Sequence, residues 1–132
     1  MDKEEIIKAV ESVYNSYLQD EVLMDALREG SLSLRLMCSE AQSFYLCDSG
    51  KVINEVEGIF MVCDEESFPS TLEKAAESYV ENCGLENLSS PAKAVSALER
   101  GLGESVKKFK KDYAQDPKAA VERIWDSGRN YV

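Results

Sequence analysis

Ser31-Leu32-Ser33-Leu34-Arg35-Leu36-Met37-Cys38 alternates, with apolar residues at the even positions and mostly polar ones at the odd positions. A period of two belongs to a strand buried on one face. Leu34 and Leu36 are therefore expected on the covered side, while Ser33 and Arg35 point the other way, toward water or a partner. Ser43 to Cys47 reads as a second strand, after a turn near Glu40. Asp48-Ser49-Gly50-Lys51 has the composition of a hairpin turn, with a glycine available for positive φ. Val52 to Val56 and Ile59 to Cys63 supply two more strands, separated around Gly58. Four short strands joined by tight turns predict an antiparallel meander.

Helical periods lie on both sides of this block. Ile6, Val10, Val13, Tyr14 and Tyr17 recur at helical spacing over residues 3–18, behind an Asp2 suited to cap the helix. A shorter helix over 20–28 places Leu23, Ala26 and Leu27 on one side, with Gly30 as its left-handed terminus. From residue 67 the helical period returns. Ser70-Thr71-Leu72-Glu73 fits a capping box and leads into Leu72, Ala75, Ala76, Tyr79, Val80 and Cys83, ending at Gly84. Ser90-Pro91 starts the next helix, which turns Ala94, Val95 and Leu98 inward until Gly101 and Gly103 break it. Residues 104–113 and a segment capped by Asp116-Pro117, carrying Ala120, Val121, Ile124 and Trp125, complete the chain.

The expected fold is one α+β domain over residues 1–132. It is a four-stranded antiparallel meander flanked by two N-terminal helices and covered by three or four C-terminal helices. A chain of 132 residues is long enough to bury one core without a disulfide or metal staple.

Charge and residue absences restrict the chemistry. The net charge is −10, all of it in residues 1–66, which hold 15 acids against 5 bases. Such a surface repels nucleic-acid phosphates, and no nucleic-acid partner is expected. No apolar run is long enough to span a membrane, so no integral membrane association is expected. The charged start, Met1-Asp2-Lys3-Glu4-Glu5, has no signal-like apolar run behind it, and a cytoplasmic location is the expectation.

There is no histidine. That removes Ser-His-Asp and Cys-His catalysis, together with histidine-ligated metal sites. The usual glycine-rich phosphate loops are also missing. Cys38, Cys47, Cys63 and Cys83 form no CxxC pair and read as buried reduced thiols. Asp64-Glu65-Glu66 matches no EF-hand spacing and reads as a solvated strand end, with cation binding the alternative. Lys107, Lys108, Lys110 and Lys111 read as the wet face of a helix, able to pair with the acidic front half of the chain. No catalytic residue, metal site or cofactor is assigned, and the expectation is that the protein is not an enzyme.

The order of elements from Leu32 to Phe68 resembles the sterol carrier protein type 2 domains. The matching pieces are Leu32 to Leu36, Phe44 to Val52 through the Asp48-Ser49-Gly50-Lys51 turn, and Phe60 to Phe68 through Asp64-Glu65-Glu66. The resemblance implies a small lipid-carrier layout, in which a leading helix precedes the strands and helices follow. That family returns to a final strand before its last helix, whereas Leu98 to Lys111 here reads as helix, so only the layout carries over.

The expected function is a small non-catalytic binding domain carrying a lipid or other apolar ligand between sheet and helices. The ligand-binding walls would be Leu34, Leu36, Phe44 and Leu46 on the sheet and Tyr79, Val95 and Leu98 on the helices. The alternative is a protein-protein interaction or dimerisation module with no small-molecule ligand, its partner another protein or a second copy of the chain.

Overall fold

Strand β1 (Leu32–Cys38) pairs antiparallel with β2 (Ser43–Cys47), and β2 with β3 (Val52–Asn54). The computed structural model describes residues 2–38, 42–54, 60–62 and 68–127. The turn between β2 and β3 closes through Cys47 N–H to the Lys51 carbonyl (2.9 Å) and Gly50 N–H to the Cys47 carbonyl (3.0 Å). Gly50 stands at φ +85°, a conformation that side chains rarely tolerate, which is why glycine is needed there.

The expected strands are all present and antiparallel, but their order is not a simple meander. β4 (Phe60–Val62) pairs with β1, on the far side of the sheet from β3. A fifth strand, β5 (Phe68–Ser70), adds to β3, giving the order β4-β1-β2-β3-β5. Alternation fixes which face of a strand is buried, but not which neighbour it takes. Cross-sheet pairing therefore lay beyond a reading of periods.

The helices form where the apolar spacing places them, though Thr71 rather than Ser70 of the expected capping box starts the third. Helix α1 (Lys3–Leu18) starts at Asp2, whose carboxylate accepts from Glu4 N–H at 2.9 Å, and buries Ile6, Val10, Tyr14 and Tyr17. Helix α2 (Glu21–Gly30) is capped by Asp20 and buries Leu23, Met24, Ala26 and Leu27. Helix α3 (Leu72–Cys83) is capped by the Thr71 hydroxyl, and a single turn, α4 (Leu85–Leu88), follows Gly84. Helix α5 (Pro91–Leu98) begins at Ser90 with proline in its first turn. Helices α6 (Glu104–Gln115) and α7 (Pro117–Ser127) complete the fold.

At two places glycine acts differently from expectation. Ser31, not Gly30, takes the left-handed position after α2, at φ 53°. Gly30 is the last helical residue, and a Cβ there would sit 2.9 Å from Val121 on α7. Its role is close approach between helices. Gly101 and Gly103 do not break α5 either: Glu99–Gly103 forms a π turn that runs directly into α6. Glycine in a helix costs about 1 kcal/mol, too little to end a helix held by packing on both sides.

The helices cover the face carrying Leu32, Leu34, Leu46 and Val52. Helices α2 and α3 lie on β1, α7 lies on β4, and α1 packs against α3 and α5. Leu34, Phe44, Leu46, Val10, Tyr14 and Phe109 are fully buried in this core. Each such side chain contributes about 1.5–3 kcal/mol relative to exposure.

The opposite face is not the wet surface that β1 alone suggests. Ser33 is fully buried and stands beside Cys47, while Arg35 stands half-buried beside Tyr45. Tyr45, Cys47 and Ile53 make a second, smaller apolar cluster there. Strands β2 and β3 are apolar at both parities, so both of their faces are buried. Only Ser31, outside the strand, is exposed as expected.

Candidate functional site

The strand that decides the fold is interrupted where the candidate site begins. Arg35 pairs with Tyr45, but the next register partners are Met37 and Phe44, so Leu36 is an extra residue in β1. This β-bulge turns Met37 onto the helix side beside Phe44, and both Leu36 and Met37 join the main core. Strict alternation would have sent Met37 outward. Leu36 lies out of register with β2, and its carbonyl accepts a hydrogen bond from the Tyr14 hydroxyl of α1 at 2.9 Å, entirely buried.

Among the described residues, strand β4 pairs with β1 over Leu32–Leu34. Beyond that pairing, Arg35, Leu36 and Met37 form one wall of an open groove with a volume of about 360 Å³. Tyr79 and Asn82 of α3 form a second wall, and Ala97 and Leu98 of α5 a third. Gly101, Leu102 and Ser105 bring the π turn and the start of α6 to its rim. π turns recur at functional sites because they displace the backbone without ending the helix. Gly101 is exposed, and a Cβ built on it meets nothing within 4 Å.

Of the seven residues expected to hold a ligand, Leu36, Tyr79 and Leu98 line this groove. Leu34, Phe44 and Leu46 are fully buried core side chains, and Val95 is half-buried on α5 away from the lining. Arg35, Met37, Asn82, Ala97, Gly101, Leu102 and Ser105 were not expected among the ligand-binding residues. The bulge that turns Met37 onto the helix side has no signature in the alternating pattern.

Burial raises the phenol of Tyr79 in the groove lining and those of Tyr14 and Tyr17 on α1. Burial pushes Tyr79 up to about 12, aided by the charge and hydrogen bond of Cys83 and opposed by Arg100. Burial also pushes Tyr17 up to about 12, helped by the charges of Glu99 and Asp20. Tyr14 is raised well above the ordinary tyrosine value, again mainly by burial. Unfolded phenols ionise near pH 10, so the stability these groups contribute is complete below that pH. It is lost as pH rises from about 10 toward 12. Denaturant unfolding at pH 9 and pH 11, with phenolate absorbance followed in parallel, should show reduced stability at pH 11 and delayed ionisation. Free titration of every tyrosine near pH 10 with the fold intact would refute this.

A second depression, of about 450 Å³, is polar and lined by Glu21, Asp25, Arg28 and Asp48 among others. Its charges satisfy one another: Arg28 bridges Asp25 at 2.9 Å and Asp48 at 3.4 Å, joining α2 to the β2–β3 turn. Of the lysine row, Lys110 pairs with Asp20 at 2.6 Å, a contact between the basic helix and the acidic front half.

Cys47 is a buried thiol and Cys83 a half-buried one; the side chains of Cys38 and Cys63 lie outside the described residues, as does Asp64-Glu65-Glu66. Among the described residues no group of three or more potential metal ligands comes together, and no helix is long and apolar enough to cross a membrane.

No family model, curated protein or solved structure matches the chain.

Proposed function

We propose that the protein is a small non-catalytic binding domain whose ligand lies in the groove between the bulged end of β1 and the helices α3, α5 and α6. The supporting observation is the groove's construction. Apolar side chains from a strand and two helices converge with a few polar groups in a volume of about 360 Å³. Small-molecule sites typically have this make-up and occupy roughly 300–1,000 Å³. The ligand is a small apolar or amphipathic molecule held at the open end of the sheet, since Leu34, Phe44 and Leu46 fill the space beneath the helices as core. An interaction module has less support, because Val22 is the one large apolar side chain exposed among the described residues.

The test is binding of a neutral, environment-sensitive apolar fluorophore. Gly101→Trp should abolish it without unfolding the protein, because the new side chain starts from open space at the rim. Leu98→Trp should also reduce it, by filling the wall from inside. Undiminished binding in both variants would place the site elsewhere, and no binding by the parent protein would remove the carrier reading.

A further inference from the structure

The distribution of charge around the groove narrows the ligand further. The chain holds 25 acids and 15 bases, yet the ten described residues lining the groove include one arginine and no carboxylate. Among the described residues, acids cluster instead in the depression formed by Glu21, Asp25 and Asp48. Arg35 is half-buried in the groove wall and makes no ion pair with any described residue. By contrast, Arg28 and Arg123 each hold a carboxylate at 2.9–3.4 Å. A guanidinium presents a planar fork of donors that matches the paired oxygens of a carboxylate or phosphate, and removal from bulk water strengthens that contact. Asn82 and Ser105 supply neutral polar groups in the same lining, while Leu36, Met37, Leu98 and Leu102 supply apolar surface.

We infer that the groove selects a small anionic amphiphile, with a carboxylate or phosphate on Arg35 and the apolar body against Leu36, Leu98 and Leu102. This inference rests on the groove being the binding site. Arg35 is the specificity-determining residue, in regular register with Tyr45 immediately before the bulge. Because the groove is short and open, it fits one compact chain or ring.

The test is calorimetric titration at low ionic strength with octanoate, octyl phosphate and octan-1-ol, which share a chain and differ in head group. The anions should bind about tenfold or more tightly than the alcohol, the worth of one hydrogen-bonded charge contact. The preferred anion identifies the head group. Arg35→Met should bring the affinity for both anions down to that of octan-1-ol measured on the same variant, with circular dichroism confirming the fold. Should Arg35→Met not fold, added salt acting on the wild type should weaken the anions and spare the alcohol. Equal affinity for the three compounds, lost together in Gly101→Trp, would overturn the charge selection and keep the groove as the site. Binding of none of them, including the neutral fluorophore, would overturn both.

Discussion

Leu34→Ala is expected to lower the unfolding free energy by about 2–5 kcal/mol, measured by denaturant titration. Leu34 has no exposed surface and stands in register with Leu46 on one side and Phe60 on the other. Helices α2 and α3 lie on the same strand, so the space left by truncation is bounded by several elements that cannot all collapse into it. Leu98→Ala provides the internal comparison. Leu98 is also nearly buried, but one side of it borders the open groove, where water can replace the missing atoms. Its cost should fall below that of Leu34→Ala. If Leu34→Ala cost less than about 1 kcal/mol, tight packing beneath the helices would be excluded and an internal ligand space would return as the better account.

Tyr14→Phe is expected to cost about 1–3 kcal/mol, although it removes a single oxygen. The Tyr14 hydroxyl donates to the Leu36 carbonyl at 2.9 Å, and both groups are buried. Phenylalanine leaves that carbonyl without the donor, in a place water reaches poorly, so the desolvation penalty is not recovered. The effect should extend beyond stability. The bond ties α1 to the bulged residue, and Arg35 and Met37 flank that residue in the groove wall. Amide exchange at Leu36 and Met37 should therefore quicken in Tyr14→Phe more than exchange in α7. Uniform change across the chain, or a cost close to zero, would show that the bond does not hold the bulge.

Much of the fold was legible in the chain. Asp2, Asp20, Thr71, Ser90 and Asp116 each accept from a backbone N–H at the start of their helices. A cap of this kind is a local interaction within four residues, so its sequence signal survives any tertiary arrangement. The apolar spacing of α1 and the alternation of β1 are equally local, and they specify which faces are buried. The site was less legible. Leu36, Tyr79 and Leu98 could be named because apolar periods point them toward the sheet–helix boundary, but the same periods also named Leu34, Phe44 and Leu46, which became core. A period distinguishes inside from outside and does not distinguish a filled interior from the wall of a groove.

What the sequence by itself determined is the first four strands, the longer helices, most of their caps, the β2–β3 turn at Gly50 and the division into an antiparallel sheet with helices before and after it. All of these follow from contacts between residues a few positions apart. The tertiary structure alone decided that β4 pairs with β1, that Gly30 lets Val121 of α7 come close, and that α5 continues through a π turn into α6. It also decided that one extra residue in β1 turns Met37 onto the helix side, and that this end of β1 meets Tyr79 and Leu98 at a groove. Those outcomes depend on which of several compatible faces and edges pack together. That choice is made by the fit of side chains remote in sequence, for which local periodicity carries no record.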